Sequence, residues 1–271
     1  MTLSHVHHIG MVVRDADKAA ELWRDTFGLT KAVDRVVEDQ GVRGIVFPLD
    51  NSEIELLQPI REGTGIARFL ETNGEGFHHL CLGTNDVANE LRTAEANGMT
   101  MIDTEPREGL AGMIGFIHPR SNHGVLIELA QPPDDAPVHR GPADGPFHHA
   151  LHHKTIAVHD IAPVVGEWTE RFGFSVGRHI ESEALGLEAQ FLKLGATDVE
   201  LVRPLEGSGG PLPRKLETSG EGMFMLALTV RDTAATVDHL RDLGWTVTDA
   251  SAGGFISPKH THGARLRLSE A

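Results

Sequence analysis

Tyrosine is absent from this sequence, cysteine occurs once, and aromatic residues make up only 5% of it. A lone cysteine, Cys81, excludes an intramolecular disulfide framework and leans slightly towards a reducing compartment. It lies in an apolar, strand-like run, where a thiol reads as core. Without tyrosine there is no phenolic side chain to assist a phenolic substrate. An excess of basic charge is also lacking: 24 Lys and Arg stand against 39 Asp and Glu, a formal net charge of −15. No general nucleic-acid or anionic-membrane partner is therefore expected, since either needs a basic face to displace counterions. An anionic substrate would have to be met by local arginines and lysines. No apolar run reaches bilayer-spanning length and no charged-then-apolar leader opens the chain, so the expected location is cytoplasmic.

What the sequence does contain is repetition. With 271 residues and 40% apolar composition it can bury a core in each of two ordinary domains. A His-His start to a strand-like run occurs at His7-His8-Ile9, at Gly74-Glu75-Gly76-Phe77-His78-His79-Leu80 and at His152-His153-Lys154, with an apolar residue next in the first two and a lysine in the third. A fourth copy, Met223-Phe224-Met225-Leu226, follows Gly220-Glu221-Gly222 in the same frame but has no histidine. After the first start comes a helix from Asp15 to Phe27, with Ala16, Ala20, Trp23 and Phe27 on one face, and a glycine stop at Gly28. After the second comes Asp86 to Asn97 and then Gly98. Strand-like runs follow: Lys31 to Val37, Arg43 to Leu49 and Glu53 to Gln58, then Thr100 to Asp103, Met113 to His118 and Gly124 to Gln131. Each unit reads β-α-β-β-β.

Residues 132–147 hold five of the fourteen prolines and little apolar content, which marks a linker. The pattern then restarts at His152-His153, with a helix around Ile161 to Phe172 and a strand Thr197 to Val202. The expected architecture is α+β: four βαβββ modules paired into two domains with cupped mixed sheets. The expected boundaries are 1–131, a linker 132–149, and 150–271, the last a degenerate copy.

The chemistry sits in repeat register. His8 opens the first strand of module one and Glu55 lies on its last; His79 and Glu128 repeat this in module two, at separations of 47 and 49 residues. A carboxylate within an apolar strand is costly to bury unpaired. The bland reading, in which these glutamates face solvent and the histidines are ordinary core, fits any one residue; four in register favour a metal site. If the modules pair about a pseudo-twofold axis, the four converge on a mixed N/O site suited to Co, Ni, Zn, Mn or Fe. His5, His7 and His78 fall on the opposite strand faces or at the entry, because side chains alternate. Module three keeps His153 and Glu200, whereas module four has Met225 and Arg267 at the ligand positions. The loop 104–115 with Arg107, and the strand end at Arg43, are expected to set the substrate.

These stretches resemble the vicinal oxygen chelate superfamily, and the first 131 positions resemble methylmalonyl-CoA epimerases. The resemblance rests on His7-His8-Ile9-Gly10, Glu53 to Pro59, Ile66 to Leu70, Gly74 to His79, Glu105-Pro106-Arg107, Phe116 to Pro119 and Gly124 to Leu129. It implies a divalent metal held by His8, Glu55, His79 and Glu128; Glu128, or a carboxylate next to it, is the expected base. It implies an enzyme that shifts a proton alpha to a carbonyl, an epimerase or a glyoxalase I-type lyase, acting on a small carbonyl or acyl-CoA substrate and admitting a homodimer. Gly44 stands where some epimerases carry a further glutamate. Alternatives are an Fe(II) extradiol-type dioxygenase and a non-catalytic ligand-sequestering protein.

Overall fold

The computed structural model describes residues 1–134, 150–250 and 253–270. Module one runs β1 (Leu3–Val12), α1 (Ala16–Glu21), a π-helical turn Leu22–Thr26, β2 (Val33–Val37), β3 (Val42–Pro48), β4 (Glu53–Pro59) and α2 (Gly65–Asn73). Module two comprises β5 (Gly76–Thr84), α3 (Val87–Ala96), β6 (Arg107–Gly109), β7 (Gly112–Ile117) and β8 (Leu126–Gln131). The third has β9 (Ala150–Ala157), α4 (Ile161–Phe172), β10 (Ser175–Ser182), β11 (Leu187–Leu194), β12 (Thr197–Pro204) and α5 (Pro211–Ser219). The fourth has β13 (Gly222–Val230), α6 (Thr233–Asp242), β14 (Val247–Ala250), β15 (Gly253–Ile256) and β16 (Leu266–Glu270).

The strands make two eight-stranded mixed sheets with identical order, β2-β3-β4-β1-β5-β8-β7-β6 and β10-β11-β12-β9-β13-β16-β15-β14. In every module the first strand pairs in parallel with the last, as β1 with β4 and β13 with β16. Such pairing needs a crossover, and the helix after the first strand supplies it. Each of those helices opens on an aspartate whose carboxylate accepts a free backbone N–H: Asp15, Asp86, Asp160 and Asp232. The anticipated apolar face of the first helix is buried, with Trp23 and Phe27 in contact at 5.3 Å between ring centroids. Trp168 and Phe172 repeat that contact in module three. Among the described residues no helix is long and apolar enough to cross a membrane.

Two details depart from the sequence reading. Thr100–Asp103 forms no strand beyond an isolated bridge of Met101 with Ile117; the short edge strand is Arg107–Gly109. The reason is local: the Asp103 carboxylate takes the Phe116 N–H at 3.0 Å, and the Ile102 and Asp103 amides both donate to the Phe116 carbonyl. Side-chain bonding thus replaces a ladder there. The helices α2 and α5 are additional, closing modules one and three. Of the expected proline-rich linker 132–149, residues 135–149 lie outside the described residues.

By compactness the chain falls into two units, one combining modules two and three, the other modules one and four. In the first unit the left-handed residue His123 (φ 51°) sets its Nδ1 2.9 Å from the Glu221 carboxylate, which also accepts the His159 amide at 2.8 Å. In the second, left-handed His262 (φ 48°) places Nδ1 3.2 Å from Glu75, which accepts the Arg14 amide at 2.8 Å. The repeated Gly-Glu-Gly therefore serves as a docking turn. Next to each histidine stands a glycine, Gly124 or Gly263, at which a Cβ would collide with the main-chain carbonyl of Glu221 or Glu75. Phe27 meets Trp245 edge-on at 6.3 Å in the second unit.

Because modules one and two each pack against a module from the other half, a 1–134 fragment exposes both of those faces. We expect its urea midpoint to fall well below that of the full chain, since large buried aromatics are the main source of packing energy. An unchanged midpoint would show that the first half is self-sufficient.

Candidate metal centre

Strand alternation and register build the site. On β1, Ile9 and Met11 are fully buried on one face, and His8 points to the other. On β4, Glu55 pairs with Gly10 of β1, so no side chain stands between the carboxylate and the imidazole. His8 Nε2 lies 3.5 Å from Glu55 Oε2. In module two, Glu128 of β8 pairs with Cys81 of β5, and His79 Nε2 lies 2.9 Å from Glu128 Oε2. All four residues are at least 95% buried. One donor atom from each of His8, Glu55, His79 and Glu128 lies within 4.8 Å of the others. Two carboxylates enclosed this closely repel each other strongly unless a cation joins them. The donor set, two imidazoles and two carboxylates, fits a borderline or hard divalent ion.

His5 packs against Gly83 and lies tilted to the His7 ring at 5.6 Å between centroids, and His78 meets the edge of Phe69 at 4.8 Å. Cys81 is fully buried and packs with Ile114 and Ala130, as the core reading expects. It also falls in a second, softer donor group with His7 and His8, whose atoms lie within 4.8 Å of one another.

The second sheet explains its own loss. His153 Nε2 lies 3.1 Å from Glu200 Oε2, preserving the module-one pair. At the position of Gly10, however, stands Thr155, whose hydroxyl donates to Glu200 Oε2 at 2.7 Å. Met225 and Arg267 occupy the other two positions, and the Arg267 guanidinium lies over the Phe255 ring at 5.7 Å. Among the described residues the second sheet assembles no group of three donors.

Of the two arginines expected to set the substrate, Arg43 is already engaged. Its guanidinium bonds Asp17 through Nη1 and Nη2, both at 2.8 Å, and Asp34 through Nε at 2.9 Å and Nη2 at 3.0 Å, tying α1 to β2 and β3. The hydrogen bonds from Arg43 hold the Asp34 carboxyl down to about 2 against an ordinary value of 3.8. Such a carboxylate adds stability that is complete above the unfolded value and disappears as pH falls through the folded one. Arg43→Gln should therefore cost less than about 1 kcal/mol at neutral pH. The difference from the unmodified protein should vanish between about pH 4 and pH 2, as read from urea midpoints across that range. Arg107, by contrast, lies beside the site.

The fold is a tandem of two glyoxalase-like domains with cupped mixed sheets. A family model described as the Glyoxalase/Bleomycin resistance protein/Dioxygenase superfamily matches residues 7–118 and again 152–257, and the chain belongs to that superfamily. Among curated relatives, an ethylmalonyl-CoA/methylmalonyl-CoA epimerase of Cereibacter sphaeroides is 36% identical over 132 residues, covering 48% of this chain and 98% of the relative. A mitochondrial methylmalonyl-CoA epimerase of Dictyostelium discoideum is 31% identical, covering 48% of this chain and 79% of the relative. Over the whole length, a mutant of 4-hydroxymandelate synthase from Streptomyces coelicolor superposes with a TM-score of 0.71, covering 100% of this chain and 92% of that one. At 17% identity that likeness speaks to fold alone.

Metal content separates the two halves of the chain. The purified protein should carry one divalent ion per chain; His79→Ala and Glu128→Ala should lower its content and affinity, whereas His153→Ala and Glu200→Ala should leave stoichiometry unchanged. The latter two should cost roughly 0.5–3 kcal/mol in stability at most. Elemental analysis decides this, and a fall in metal on removing Glu200 would mean that the second sheet holds an ion.

Proposed function

We propose that the chain is a divalent-metal-dependent enzyme that moves a proton at the carbon alpha to a thioester carbonyl, with an epimerase acting on a branched malonyl-CoA as the specific reading. The observation that carries it is the convergence of His8, Glu55, His79 and Glu128 within 4.8 Å in a buried group. It is supported by 36% identity to an epimerase of that substrate class, nearly the whole length of which is covered. A divalent ion held by those four residues would act as a Lewis acid on negative charge developing at the carbonyl oxygen.

The chain's own groups do the rest. The Glu128 carboxylate accepts the alpha proton; the electron pair of the broken C–H bond delocalises into the carbonyl as an enolate, and a proton returned to the opposite face completes inversion. Gly44 offers no side chain to this chemistry, so Glu55 and Glu128 are the carboxylates at hand, and exchange with solvent at one of them has to supply the second proton transfer. Burial of both strengthens every electrostatic contact made to the enolate. Four protein donors also leave fewer positions for dioxygen and a catechol than a three-residue iron site does, which favours the proton-transfer reading over ring cleavage.

Incubating the metal-loaded protein with one epimer of methylmalonyl-CoA in deuterated water should give deuterium at the alpha carbon together with the other epimer. Glu128→Ala should slow this by about 10²–10⁴-fold. No exchange with Co, Ni, Zn, Mn or Fe would remove the epimerase reading.

A further inference from the structure

Arg107 stands on the same face of the first sheet as the metal group. Register pairs Phe116 with Glu128 and Arg107 with Ile114, and alternation then sets Arg107, Ile114, Phe116 and Glu128 on one face of the sheet. The contacts agree. Phe116 meets the His79 ring edge-on at 5.6 Å, and the Arg107 guanidinium carbon lies 5.4 Å from the centroid of the same phenyl ring. One aromatic ring thus touches both a member of the metal group and a cation. Phe116 itself packs, with Ala111, against the buried core cluster of Cys81, Ile114 and Ala130.

The guanidinium is held in place but not saturated. Asp103 Oδ1 takes Arg107 Nε at 3.3 Å, while its Oδ2 takes the Phe116 amide at 3.0 Å, so one carboxylate fixes both the arginine and the ring under it. Nη1 is enclosed and has no hydrogen-bond partner among the described residues, and the side chain as a whole remains 35% exposed. An enclosed N–H of a permanent cation without an acceptor is costly, which is the state of a receptor before its anion arrives. Arg43, the other candidate, has two carboxylates of its own. Module three repeats the stack, with Arg178 4.1 Å over Phe191 and Phe191 5.2 Å from His153, but lacks the donor group that would hold a substrate there.

We propose that Arg107 is the specificity-determining residue that reads a free carboxylate on the acyl group of the substrate. This rests on the acyl-CoA reading above. An anion could also come from the phosphates of the carrier. The acyl carboxylate is favoured because the cation and His79 both contact the Phe116 ring, which keeps the receptor close to the metal group. A planar guanidinium fork suits a carboxylate in a way that a lysine does not.

The test is equilibrium binding to the full-length, metal-loaded protein, using methylmalonyl-CoA, isobutyryl-CoA, in which a methyl replaces the carboxylate, and isobutyryl-CoA lacking its 3′-phosphate. The unmodified protein should prefer methylmalonyl-CoA to isobutyryl-CoA. Arg107→Gln should shrink that preference by about 10- to 100-fold while leaving the isobutyryl-CoA Kd within a factor of about two, which also reports that the variant is folded. Arg107→Lys, which keeps the charge and the stem over Phe116, should retain part of the preference and covers the case in which the glutamine variant does not fold. Retention of the full preference in both variants would overturn the inference and leave the epimerase reading standing. If Arg107→Gln instead erases only the gain due to the 3′-phosphate, the receptor reads the carrier and the inference is wrong. No binding of any of the three by the unmodified protein would sink the substrate class itself.

Discussion

Two carboxylates and two imidazoles share one enclosed spot on an otherwise apolar sheet, and this electrostatic constraint governs the rest of the first sheet. Charges so placed are tolerated only when each is paired and when a cation can bind among them. Everything nearby makes room for that. Gly10 and Cys81 stand opposite the two glutamates where larger side chains would intrude, and the Phe116 ring braces His79 from the side. The second sheet shows what happens when the constraint lapses. A threonine hydroxyl takes a glutamate oxygen, a methionine and an arginine fill the other places, and what remains is a hydrogen-bonded relic.

Fold and site are coupled through the strand register. Parallel pairing of the first and last strand of each module fixes which residues of β4 and β8 face His8 and His79, and a slip of one residue would turn the glutamates to the helix side. Aspartate caps on four helices and the buried tryptophans secure that register from the other face. The paired Glu75–His262 and Glu221–His123 contacts, with glycines beside them that admit no Cβ, fasten modules that are distant in sequence.

Much of this was legible in the residues. The four modules and the convergence of His8, Glu55, His79 and Glu128 followed from repeat register, because a carboxylate recurring in an apolar strand has few physical explanations. The edge strand at Arg107–Gly109 was not legible. Asp103 reads as a strand terminus, and only in three dimensions does its carboxylate replace a ladder hydrogen bond. Arg43 and Arg107 look equivalent in sequence, but the carboxylates that neutralise Arg43 come from β2 and from the start of α1, a pairing that no local pattern encodes. The role of Gly-Glu-Gly was hidden for the same reason: its partners are nearly two hundred residues away in one case and about one hundred in the other.

X-ray absorption at the edge of the bound metal tests the central claim most directly, because it distinguishes the hard four-residue group from the softer group of His7, His8 and Cys81. The account predicts a first shell of nitrogen and oxygen at about 2.0–2.2 Å with the multiple-scattering signature of two imidazoles and no sulfur. A sulfur scatterer near about 2.3 Å, or a shell without imidazole, would contradict it.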